Sequence, residues 1–87
     1  MQIIKSFQID KESKLQIVAE DASLEESISW LESIGFRIFR INYCGGRVII
    51  TGQDATWYKK FLYNPERKML FNWEYDSFDL EAMAKEG

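Results

Sequence analysis

Phe36-Arg37-Ile38-Phe39-Arg40-Ile41-Asn42-Tyr43-Cys44-Gly45-Gly46-Arg47-Val48-Ile49-Ile50 reads as two strands and the turn that joins them. Phe36 to Tyr43 is built from aromatic and β-branched residues, and Val48-Ile49-Ile50 is a β-branched run, both suited to a pleated surface. Gly45-Gly46 between them supplies the positive φ that tight hairpin turns require. Strict alternation groups Arg37 with Phe39, Ile41 and Tyr43, and Arg40 with Phe36, Ile38 and Asn42, which predicts the two arginines on opposite faces.

Outward from this hairpin, the chain before it predicts a helix. Leu24, Ile28 and Leu31 recur at helical spacing, with Trp30 and Ile34 beside them, and Ser23 with Glu26 forms a capping-box pair at the start. Gly35 follows the last periodic residue as a left-handed stop. Further back, Gln2 to Ile9 alternates, with Ile3, Phe7 and Ile9 on one side, and Leu15, Ile17 and Ala19 alternate again after the polar stretch Asp10-Lys11-Glu12-Ser13. That pattern predicts a first hairpin.

Beyond Ile50, Asp54-Ala55-Thr56-Trp57 resembles a capped helix start, with Trp57, Tyr58, Phe61 and Leu62 as its apolar residues and Asn64-Pro65 as its end. Met69 to Tyr75 reads as a fifth strand and Asp79 to Lys85 as a short C-terminal helix. The expected fold class is α+β: a small single domain over 1–87, of ββαββα type, with an antiparallel sheet and the helices mainly on one face. An echo at a spacing of 33 residues lays Val48–Trp57 over Leu15–Leu24, matching strand, Asp-Ala-Ser/Thr and first apolar helix residue. It suggests an internal ββα repeat, 2–34 and 36–64.

Charge is segregated. Residues 1–34 carry three cations and seven acids, residues 35–70 seven cations and two acids, and residues 71–87 one cation and five acids. A net charge of −3 therefore conceals a strong internal field, able to steer a partner. At 87 residues the chain buries about 60–65% of its unfolded surface, so self-association is one route to added stability. Apolar runs of a few residues fall far short of a membrane span, and the N-terminus lacks a signal-peptide core. The expectation is a cytoplasmic protein without a membrane partner.

With no histidine and a single cysteine, Cys44, the chain offers no intrachain disulfide, no zinc-type ligand set and no imidazole base. Asp21 and Asp54 recur at equivalent places but read as helix starts rather than metal ligands, since a hard cation needs several convergent oxygens. No metal, cofactor or catalytic residue is expected. The chain reads as a non-enzymatic interaction module.

Two surfaces compete for the binding role. Glu20, Asp21, Glu25 and Glu26 around the first helix, Glu74, Asp76 and Asp79 in the tail, and the rings of Trp30 and Trp73 suit a small acidic regulator or inhibitor. Such a protein docks on a larger partner, for instance a nuclease or another nucleic-acid-handling complex, and in size and charge it matches small inhibitors encoded by phages or mobile elements. The alternative is a nucleic-acid-binding domain that uses Arg37, Arg40, Arg47, Lys59 and Lys60 among the aromatics of the middle block. The predicted split of Arg37 from Arg40 and the acidic pI of about 4.9 weigh against it, so the protein-docking reading leads.

Overall fold

The computed structural model describes residues 1–54 and 58–73. Within them the chain runs β1 (Gln2–Ile3), β2 (Gln16–Glu20), α1 (Leu24–Ser33), β3 (Arg37–Cys44), β4 (Arg47–Gln53), β5 (Tyr58–Asn64) and β6 (Met69–Asn72). The strands form one six-stranded sheet in the order β1-β2-β6-β5-β4-β3, every neighbouring pair antiparallel. β3 to β6 is a simple meander. β2 closes onto the free edge of β6, and α1 carries the chain back to β3 at the far edge.

α1 forms as its local signals require. Ser23 Oγ accepts the Glu26 backbone N–H at 3.0 Å, and the Glu26 carboxylate accepts the Ser23 N–H at 2.9 Å. At the other end Gly35 takes φ 91°, its N–H donates to the Glu32 carbonyl, and the Phe36 N–H donates to the Leu31 carbonyl. This pair of bonds satisfies carbonyls that the helix leaves open. Leu31 is fully buried, and Leu24, Ile28 and Trp30 pack partly buried beside it. The β3–β4 hairpin turns on Gly45 and Gly46, both at positive φ.

The second helix expected from Asp54 is not there over the residues described: Tyr58–Asn64 is a strand. β5 lies at the centre of the sheet, paired with β4 on one side and β6 on the other, and its alternate residues Phe61 and Tyr63 enter the helix-side core. A short aromatic run fits either period, and pairing with two distant strands decides it. Among the described residues there are six strands and one helix, so the ββαββα order is not confirmed. The echo at 33 residues thus sets Ile28 of α1 over Phe61 of β5. The first hairpin survives in broken form, as β1, a lone bridge from Ile9 to Gln16, and bonds Ile4 N–H to Val18 O and Ile17 N–H to Gln8 O. The expected fifth strand appears as β6, and the helix expected over 79–85 lies outside the described residues.

Two apolar clusters sit on opposite sides of the sheet. The larger joins α1 to Val18, Val48, Ile50, Phe61, Tyr63 and Leu70, and Tyr63 Oη donates to the Ala22 carbonyl at 2.7 Å inside it. The smaller gathers Ile17, Leu62 and Phe71 with Ile4, Leu15 and Met69. No helix among the described residues is long and apolar enough to cross a membrane.

Candidate functional site

Among the described residues α1 alone covers the sheet with a helix, and the opposite face, the bare face, carries none of the described helices. Strand register shows what that face carries. Arg37 pairs with Gln53, Ile38 with Gly52, and then Arg40, not Phe39, with Thr51. A β-bulge between Ile38 and Arg40 inserts one residue. Gln53 and Thr51 are two apart on β4, so Arg37 and Arg40 share a face. The opposite-face expectation from strict alternation is overturned, as is the grouping of Phe39 with Ile41 and Tyr43. Those two pair with buried Ile50 and Val48 on the helix side.

Gly52 explains why the bulge sits where it does. A Cβ there would meet the Arg37 carbonyl and lie 2.7 Å from the Phe36 ring. The missing side chain lets Phe36 fold over β4 into the core, edge-on to Phe61 at 5.0 Å. An isolated glycine after a β-branched run is the signal in the sequence that marks this close approach.

On the bare face the bulge assembles a stack. The Phe39 ring lies 5.9 Å from Tyr58, and the Arg37 guanidinium lies 5.8 Å from the Phe39 centroid, close enough for cation–π attraction. Tyr58 is 71% exposed. Lys60 pairs with Thr51 and joins Arg40 on this face, whereas Lys59 pairs with Gly52, on the other side, and forms an ion pair with Asp54 at 2.9 Å. Arg47 shares its parity with Ile49, which pairs with Leu62 of the same face. By register the sequence candidates Arg37, Arg40, Arg47 and Lys60 share this face, with Arg47 at the far end of β4 from Arg37, and Lys59 falls on the other face. Strands β3 to β6 contain no carboxylate, so these strands bring only positive charge to the face.

Trp73, 40% exposed, is tied to β5 by its N–H to the Lys60 carbonyl at 2.9 Å. It borders two depressions. One, of about 210 Å³, lies toward Thr51, Tyr58 and Lys60. The other, of about 500 Å³, is lined by Leu62 and Phe71 with Asn64, Arg47 and Arg67 around them. Arg67 is a clamp rather than a free cation. It makes two hydrogen bonds to the Asp10 carboxylate, at 2.7 and 2.9 Å, approaches Glu12 at 3.5 Å and lies over the Phe71 ring at 5.6 Å. The Arg67 hydrogen bonds hold the Asp10 carboxyl well below the usual carboxylate range, and the Ser13 N–H adds to this. The pair ties the β1–β2 turn to the β5–β6 turn.

The acidic candidates lie elsewhere. Asp21, Glu25 and Glu26 are exposed around the start of α1, and Glu20 is half-buried at the end of β2. Glu26 is committed to the helix cap, and its carboxylate is 3.5 Å from the N-terminal ammonium. The backbone hydrogen bond from Ser23, followed by that ammonium, lowers its pKa. Trp30 is half-buried against the helix-side core. Glu74, Asp76 and Asp79 lie outside the described residues. Among the described residues there is no group of three or more His, Cys, Asp or Glu side chains placed to hold a metal ion.

Comparison with protein-family models, with curated proteins and with solved structures returns no match. The case for function therefore rests on the bare face itself.

Proposed function

We propose that the protein is a binding module that holds single-stranded nucleic acid on the bare face of its sheet. One observation carries this reading: the bulge in β3 puts Arg37, Phe39 and Arg40 on the same surface as Tyr58 and Lys60. Exposed rings accept bases by stacking, at about 1–3 kcal/mol each, while neighbouring cations follow the phosphates. Trp73 extends the row of rings. The acids around α1 lie on other elements than these cations, which leaves the charge of β3 to β5 unopposed within those strands. No step of covalent chemistry is part of this function.

The test is fluorescence anisotropy of labelled single-stranded oligonucleotides of about 12 nucleotides, titrated at several salt concentrations. Four cations on the face predict a log–log salt slope of about −3, from roughly 0.7 per phosphate contact on a single strand. The double substitution Arg37→Glu, Arg40→Glu should abolish binding at moderate salt, whereas Glu25→Lys leaves it intact or tightens it. Flat titrations at low salt would overturn the proposal.

A second reading, docking on a larger protein through the acidic side, is favoured by one specific observation. Tyr43, 76% exposed, stands with Ile41 on the helix-side face of edge strand β3, and Ile34 is exposed at the end of α1. Under that reading Glu25→Lys and Tyr43→Ala weaken capture of the partner, and oligonucleotide titrations stay flat.

A further inference from the structure

The larger depression beside Trp73 contains a polar group whose hydrogen bonding is half complete. Asn64 is only 3% exposed. Its Oδ1 accepts the backbone N–H groups of Glu66 at 3.0 Å and Arg67 at 3.2 Å, which fixes the orientation of the amide and occupies its acceptor. Its Nδ2 donates to no acceptor among the described residues. Every fully buried side-chain nitrogen or oxygen described has a partner, so Nδ2 is not sealed in the protein, and Asn64 lines the depression. A buried amide thus offers the depression two N–H donors and no acceptor.

The surroundings suit a planar ring on a charged chain. Leu62 and Phe71 give an apolar floor and Trp73 an aromatic border. Arg47, half-buried and in no ion pair among the described residues, and Lys14 bring positive charge, while Ser13 and Glu12, the latter 3.5 Å from Arg67, complete the rim. At about 500 Å³ the space falls within the ~300–1,000 Å³ usual for small-molecule sites. The geometry points to a base-selective subsite: it takes one nucleobase of the bound strand, and Asn64 Nδ2 donates to a carbonyl oxygen on that base. This rests on the strand-binding reading above. Thymine and uracil offer two carbonyl acceptors flanking a ring N–H, whereas adenine has no carbonyl and sets an amine donor beside its ring nitrogens. The Asn64 donors therefore favour carbonyl-bearing bases over adenine.

The test compares oligothymidine with oligodeoxyadenosine by anisotropy. It then compares oligodeoxyadenosine carrying one central thymine with the same strand carrying difluorotoluene, which has the shape of thymine without its acceptors. Wild-type protein should bind the oligothymidine about 10-fold more tightly, and the single thymine, but not difluorotoluene, should tighten binding several-fold. Asn64→Asp keeps the oxygens that hold the turn and removes the donors. A melting curve like that of the wild type verifies its fold, and its thymine-to-adenine ratio should fall toward one. Added repulsion from the aspartate cancels in that ratio. Equal binding of all strands by wild-type protein, or a preference that survives Asn64→Asp, would overturn the subsite and leave strand binding standing. Absence of binding to every strand at low salt would overturn both.

Discussion

The two faces of this sheet are made from the same strands and end in opposite states. On the helix side, Val48, Ile50, Phe61, Tyr63 and Leu70 are buried under α1 and form the larger core. On the other side the same strands present Arg37, Arg40, Arg47, Lys60 and Tyr58, and among the described residues the buried apolar cluster is the one around Leu62 and Phe71 under the N-terminal hairpin. One face is packed under the helix, and the other carries the cations and exposed rings on which the binding proposal rests. Among the described residues one 10-residue helix packs on a six-stranded sheet, and it covers one side.

The sharpest way to break this comparison is to make matched truncations on the two faces. Leu31→Ala empties a fully buried site under α1 and should cost about 2–5 kcal/mol. Phe39→Ala on the bare face, where the ring is 49% exposed, should change stability by about 1 kcal/mol or less while weakening nucleic-acid binding. Chemical denaturation of both variants checks the contrast. Similar losses would mean that the bare face is structural.

Next in size is Gly52→Ala. The added methyl meets the Phe36 ring and the Arg37 carbonyl, neither of which is the free end of a flexible chain, and overpacking of this kind costs about 3 kcal/mol. If the variant folds, the β3 register must shift, which would separate Arg37 from Arg40. A melting temperature within a degree or two of the wild type would show that the bulge does not depend on this glycine.

Smaller still is the loss at the Asp10–Arg67 clamp. Asp10→Asn removes a charge-assisted bidentate pair that is shielded at Asp10 and partly open at Arg67, for a loss of about 2 kcal/mol. Because the folded-state pKa of Asp10 is depressed, the native state binds fewer protons than the unfolded chain. The stabilisation is complete above the unfolded value, about 3.9, and is lost as pH falls through and below it. Wild-type stability should drop between about pH 5 and pH 2, and the drop should be shallower in Asp10→Asn. Parallel curves for the two proteins would remove the clamp as the cause.

What could be read from the sequence follows the range of each signal. The capping box at Ser23, the glycine stop at Gly35 and the Gly45-Gly46 turn are local demands on a few dihedrals, and each appears in the structure where the sequence predicts it. β5 was hidden because Tyr58, Phe61 and Leu62 suit a helix face as well as a strand, and its assignment depends on β4 and β6. The pairing of β2 with β6 joins residues more than 50 positions apart, and the Asp10–Arg67 clamp spans 57. Neither leaves a local trace. The face shared by Arg37 and Arg40 departs from the sequence expectation for a simpler reason. One inserted residue reverses strand parity, and Gly52, the penultimate residue of β4, marks the close approach only once Phe36 and Arg37 are seen against it.

The most direct measurement is amide chemical-shift mapping of the isotopically labelled protein with oligothymidine at low salt. The account predicts shifts concentrated at Arg37, Phe39, Arg40, Thr51, Tyr58 and Lys60, with the Trp73 indole moving alongside and α1 unperturbed. Shifts centred on Asp21, Glu25 and Glu26, or no shifts anywhere, would contradict it.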